Sequence, residues 1–275
     1  MWNGGIDMDR LAAYSHASLA HGQAKLWWLG QMGFLIKLGG TTIVIDYYAT
    51  PAEDRQVAPI IPAAELKGVD LFIGTHDHLD HIDHESWRIW KDTCPDAMFV
   101  FPASHIGVVH SDGIDFMRMV PMADGLTRQV GEVTVTAIAA AHEFLDRNPV
   151  TGYHPALQYI IRGNGVTIYH AGDTCRYEGM LGKLEALKPI DCAILPINGR
   201  DAKRLRRNCI GNMTYQESVD LAGELGPRLV IPGHWDMFRD NSEDPHAFKD
   251  YLEVKYGDRV PCVIPVHAQP ICIGL

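Results

Sequence analysis

His76-Asp77-His78-Leu79-Asp80-His81 places four potential metal ligands within six residues, directly behind the apolar run Val69–Gly74 and ahead of a helical stretch at Glu85–Lys91. A strand that opens into a loop and then a helix is where α/β proteins put their chemistry, because the rigid elements aim the loop. In an extended segment, residues two apart point to the same side, so His76 and His78 can grip one cation. Asp80 and His81, displaced by the turn that follows, can face a second. The bland alternative is a solvated, His-rich loop. A lone His would favour it, whereas H-x-H-x-D-H behind a strand argues against it.

A two-cation site needs further ligands, and later strand ends offer them. His142 follows Val130–Ala139 in Ala140-Ala141-His142-Glu143. Asp173 follows Val166–His170 in Ala171-Gly172-Asp173-Thr174, where Gly172 permits a tight turn and the carboxylate can bridge cations. His234 follows Leu229–Pro232 in Pro232-Gly233-His234. Singly, these read as a surface-loop His, a turn Asp and a packing His. Together with the first cluster they form a coherent ligand set.

The strands that carry these residues belong to a dense series. Ala24–Gly30, Phe34–Leu38 and Thr41–Asp46 are rich in β-branched, aromatic and aliphatic residues, and Gly39-Gly40 supplies a two-residue hairpin turn, so the chain opens on an antiparallel meander. Met98–Phe101, Ala156–Arg162 and Cys192–Pro196 are further strands, while Gly182–Leu187, Tyr215–Gly223 and Pro245–Val254 read as helices. Thr214 and Glu217 stand in capping-box spacing at one helix start. A short helix is expected over 7–20. Strands with interspersed helices predict an α/β fold of two packed sheets covered outside by helices, a four-layer αββα sandwich. With no linker or composition break, residues 1–275 read as a single domain.

Net charge bounds the partners. At −10, with a pI near 5.7, the chain gives no electrostatic reason to bind nucleic acid or an anionic membrane. Six cysteines without a C-x-x-C pair fit a reducing compartment. The start has neither a basic segment nor a long apolar run, so a cytoplasmic protein acting on a small molecule is expected. Trp27 and Trp28 serve the core or a subunit contact, and a homo-oligomer is expected.

The motif set resembles the metallo-β-lactamase superfamily. That resemblance implies two divalent cations, with His76, His78 and His142 on one, Asp80, His81 and His234 on the other, and Asp173 bridging. Leu26-Trp27-Trp28-Leu29-Gly30, Thr75-His76-Asp77-His78 and Tyr169-His170-Ala171-Gly172-Asp173 look like segments of the L-ascorbate-6-phosphate lactonase subgroup. That subgroup suggests manganese, and the His/Asp set suits zinc equally. The implied chemistry is attack by a metal-bridged hydroxide on an ester or lactone, with Asp80 as the catalytic proton shuttle. The expected substrate is small and sugar-like, with or without a phosphate. A metal-dependent phosphodiesterase and a non-catalytic metal-binding regulatory protein are the alternatives.

Substrate-binding candidates are Arg200, Arg204 and Arg206, in a basic cluster inside an acidic protein, with Tyr153 and Trp235 at the rim. A solvated loop is the commoner explanation of such a charge run.

Overall fold

The computed structural model describes residues 18–274, so most of the helix expected over 7–20 lies outside the described residues, and residues 18–20 are not helical. Strands β1 (Ala24–Gly30), β2 (Gly33–Leu38) and β3 (Thr41–Ile45) form the antiparallel meander. Leu38 pairs with Thr41 across the Gly39-Gly40 turn, and Gly39 takes φ +56°, a conformation that favours glycine. Strands β4 (Leu71–Ile73), β5 (Met98–Pro102) and β6 (Met119–Met122) then add in parallel.

The second sheet begins with β7 (Thr127–Val130), β8 (Val133–Ala139), β9 (Leu157–Gly163) and β10 (Val166–His170), which are antiparallel. It continues in parallel through β11 (Cys192–Pro196) and β12 (Val230–Gly233). The expected strand Val130–Ala139 is seen as β8 over Val133–Ala139, with Val130 belonging to the preceding strand. Gly131, at φ +58°, turns the chain, so Val130 ends β7 and pairs with Val133 at the start of β8. A last strand, β13 (Pro270–Ile273), was not foreseen and completes the seven-stranded sheet beside β1.

Side-chain alternation builds the layers. Leu26, Trp28, Phe34, Ile36, Ile43 and Ile45 face inward and meet Val135, Ala137, Tyr159, Ile161, Ile168 and Ile194 of the other sheet. Their neighbours Trp27, Leu29, Leu35 and Val44 face outward, under Trp87 and Trp90 of helix α1 (His84–Thr93). Beyond the second sheet, Ile160, Tyr169, Ala193 and Leu195 are covered by α5 (Tyr215–Leu225) and α6 (Pro245–Tyr256). Burial on both faces explains why these strands read as continuous apolar runs. The expected αββα sandwich is the observed one. Thr214 and Glu217 form a full capping box at the start of α5. Helices α2 (Ile106–Ser111), α3 (Met180–Glu185) and α4 (Ala202–Arg206) are short. No helix among the described residues is long and apolar enough to cross a membrane.

Candidate metal centre

The turns that follow β4, β8, β10 and β12 converge and bring together all seven residues expected to bind metal. His76 Nε2 lies 2.9 Å from His78 Nδ1, and His142 Nε2 lies 3.2 Å from the same His78 nitrogen. His81 Nε2 is 3.3 Å from Asp173 Oδ1 and 3.7 Å from Asp80 Oδ2. His234 Nε2 is 3.1 Å from Asp173 Oδ2 and 3.6 Å from Asp80 Oδ2. Donor atoms therefore cluster as His76/His78/His142, as His76/His81/Asp173 and as Asp80/His81/His234, each within 4.8 Å. Asp173 lies between the outer two groups, with Oδ2 also 3.7 Å from His142 Nε2.

These donors fit divalent cations. His81 Nε2 and Asp173 Oδ1 are buried and have no hydrogen-bond partner, a costly arrangement unless something between them satisfies both. Ring nitrogens about 3 Å apart, facing one another, match the edge of a coordination shell with metal–nitrogen distances of about 2.0–2.1 Å.

Residues behind the ligands aim them. Asp46, at the end of β3, is buried and held at φ +48°. Its Oδ2 accepts from His81 Nδ1 at 2.7 Å and from the Thr75 hydroxyl at 2.7 Å, while Oδ1 accepts from Thr75 N–H at 2.8 Å. A proton fixed on His81 Nδ1 leaves the Nε2 lone pair for a cation. His142 Nδ1 donates to the Gly211 carbonyl at 3.2 Å to the same effect. The buried His170 donates from Nε2 to Met32 O at 2.8 Å and accepts from Gly172 N at Nδ1, which fixes the turn that presents Asp173. Thr174 ties that turn to the His142 loop by accepting from Ala141 N–H at 3.0 Å. Asp46, Thr75, His170 and Gln31 were not anticipated. The one signal for Asp46 was its place as the last residue of the third apolar run.

Charge is distributed unevenly. Burial, aided by the neighbouring His81 charge, pushes His76 well below its usual range, and burial likewise lowers His78 and His142. These three imidazoles are neutral donors. Burial opposes ionisation of Asp173, but the His234 and His81 charges outweigh it and hold the carboxyl well below its ordinary value. The carboxylates in turn raise His81 and His234 against burial. This half of the centre is built to hold positive charge.

A cavity of about 170 Å³ opens onto the histidines, lined by His76, His78, His142, His105, Pro155 and Ile210 among others. None of the five expected substrate-binding residues lines it. Trp235 stacks on Trp28 at 4.7 Å and donates to Pro232 O. Tyr153 is 39% exposed on the loop after His142. Arg200 is clamped by Glu217 at 2.6 and 2.7 Å, and Arg204 binds Asp201 and the Asn198 carbonyl. Arg206 is exposed, with no ion-pair partner among the described residues.

Two packed sheets that share an edge lined with paired histidines and carboxylates define the metallo-β-lactamase fold. The beta-lactamase superfamily domain matches residues 41–235, and the chain belongs to that family of metal-dependent hydrolases. A UPF0173 metal-dependent hydrolase of Pyrococcus furiosus is 32% identical over 84% of this chain and 93% of its own. A probable L-ascorbate-6-phosphate lactonase of Escherichia fergusonii is 23% identical over 86% of this chain and 76% of its own. Among solved structures, a metallo hydrolase of Ignicoccus hospitalis superposes with a TM-score of 0.73 at 21% identity, covering 92% of this chain and 99% of that one.

Proposed function

We propose that the centre holds two divalent cations, zinc or manganese, and hydrolyses a small carboxylic ester or lactone. The observation that carries the reading is the pair of buried atoms His81 Nε2 and Asp173 Oδ1, which face each other at 3.3 Å while neither makes a hydrogen bond. His76, His78 and His142 would hold one cation, Asp80, His81 and His234 the other, and Asp173 both. Such cations supply Lewis acidity, which brings the pKa of water from about 15.7 to roughly 7 and polarises a carbonyl.

The chain's own residues do the rest. Asp80 keeps 15% of its side chain exposed, so it can meet both the attacking water and the substrate. It takes a proton from the water and returns it to the departing alkoxide. Arg206, exposed and without an ion-pair partner among the described residues, would meet an anionic group of a substrate that extends beyond the cavity lined by the histidines. Arg200 and Arg204, bound to the Asn212 and Asn198 carbonyls, fix the segment that carries it. The similarity to a probable phosphorylated-lactone hydrolase supports this substrate class.

Metal analysis at saturating zinc tests the centre. About two ions per chain are expected, with loss of one in Asp173→Ala; one or none in the parent protein overturns the proposal. A panel of lactones against bis(p-nitrophenyl) phosphate tests the substrate class, and preference for the phosphodiester refutes it. Asp80→Asn should lower kcat by about 100-fold or more. Arg206→Ala should raise KM for a phosphorylated lactone and leave its neutral analogue unchanged.

A further inference from the structure

Each ligand ring with Nε2 toward the cluster has a partner for its other nitrogen, and for His76, His81 and His142 that partner accepts. Asp46 accepts from His81 and the Gly211 carbonyl from His142. His76 Nδ1 faces Thr75 Oγ1 at 3.2 Å, and that hydroxyl gives its own proton to Asp46, so its lone pairs are free to accept. In all of these the proton sits on the outer nitrogen and the lone pair faces the cluster of donor atoms.

His234 is the exception. Its outer nitrogen, Nδ1, lies 3.3 Å from Gln31 Nε2. The orientation of that amide is set twice over. Its Oε1 receives Met237 N–H at 3.2 Å, and a backbone N–H can only donate. Its Nε2 faces Asp80 Oδ2 at 3.3 Å, and a carboxylate can only accept. Turning the amide over would oppose donor to donor at Met237 and acceptor to acceptor at Asp80. An NH₂ facing His234 makes Nδ1 the acceptor, so the neutral ring carries its proton on Nε2, toward Asp173 Oδ2 at 3.1 Å.

Gln31 cannot swing aside cheaply. It is fully buried at φ +51°, in the left-handed region uncommon for glutamine. Its N–H donates to Asp236 Oδ1 at 2.8 Å, and its carbonyl receives His234 N–H and Trp28 Nε1–H, each at 3.0 Å. Asp236 is held in turn by His267 at 2.7 Å.

We infer that Gln31 is a positioning residue that makes the Asp80/His81/His234 position the weaker of the two, because a cation there must displace the proton which the amide directs onto His234 Nε2. This rests on the two-cation reading. Equilibrium dialysis of the full chain against zinc, with metal analysis, tests it. The parent protein should bind the second ion at least about tenfold more weakly than the first. Gln31→Met deletes the donor without adding charge, and Gln31→Glu supplies an acceptor. Both should tighten the second ion and leave the first unchanged, with Glu reaching about tenfold. A second ion bound equally or more weakly in both variants overturns the inference and leaves the two-cation reading standing. A single ion in the parent overturns the two-cation reading and the inference with it. One measurement needs no substitution: ¹⁵N spectra of the metal-free parent, at a pH where the ring is neutral, should show His234 protonated on Nε2, and an Nδ1–H form overturns the inference.

Discussion

Asp46→Asn isolates what the residue behind a ligand contributes. The Asp46 carboxylate accepts from the Thr75 N–H, the Thr75 hydroxyl and His81 Nδ1, at 2.8, 2.7 and 2.7 Å. Asparagine fills the same volume and tolerates the left-handed backbone at φ +48° as well as aspartate does. Its carbonyl oxygen can keep the Thr75 N–H, which leaves NH₂ against the Thr75 hydroxyl and His81. The hydroxyl can adapt by accepting. His81 Nδ1 must then accept as well, and its proton moves to Nε2, the atom that faces Asp173. The loss of such a partner costs roughly 10–100-fold in metal affinity, or about 1.4–2.7 kcal/mol. The metal-free fold loses only about 1 kcal/mol, since one charged hydrogen bond becomes a neutral one. Zinc affinity measured by competition with a chromophoric chelator, beside melting of the metal-free protein, separates the two effects. Asp46→Ala serves as the contrast: it strands three buried donors at roughly 1–3 kcal/mol each, so affinity and melting should fall together. If Asp46→Asn binds zinc as tightly as the parent while its metal-free melting drops, Asp46 supports only the fold and the tautomer argument is wrong.

His84 gives a pH dependence. Hydrogen bonds to Asp112 and then to Asp77 raise its pKa from 6.5 to about 9. Because the folded value lies above the unfolded one, this stabilisation is complete below pH 6.5 and is lost as pH rises through 9. It amounts to at most roughly 3 kcal/mol. Urea unfolding of the metal-free protein from pH 6 to 10 should show the decline, and Asp112→Asn should flatten it; a flat profile in the parent contradicts the assignment. Gly172→Ala should both destabilise and demetallate. Gly172 sits at φ +55°, and an added Cβ would lie 2.8 Å from Thr75 Cβ, so the Asp173 turn must move. The left-handed strain alone is about 1–2 kcal/mol, and unchanged melting and zinc content would show that the turn is slack.

The candidate ligands were readable in the sequence because each lies in the loop or turn that follows a strand, and His or Asp is rare beside apolar runs unless it has work to do there. Their supports were not readable. Asp46 looks like any carboxylate that ends a strand. Only the parallel pairing of β3 with β4, Ile45 opposite Ile73, sets it beside Thr75 and His81. The strand expected at Val130–Ala139 is present from Val133, and only its start was misplaced: Thr127–Val130 is a largely exposed, polar edge strand whose last residue, Val130, looked continuous with the apolar run beyond the Gly131 turn. In the basic cluster the charge run was visible, but Glu217 and Asp240, which engage Arg200 and Arg207, come from other elements.

A composition of ligands therefore underdetermines the centre. His81 and His234 are both buried and both within 3.3 Å of Asp173. What separates them is the group behind the ring, a carboxylate for His81 and an amide nitrogen for His234. One fixes a lone pair toward the cluster and the other fixes a proton there. Two histidines of one proposed cation position thus present opposite faces to it through residues that touch no cation, which is why substitution of Asp46 and of Gln31 should move metal binding in opposite directions.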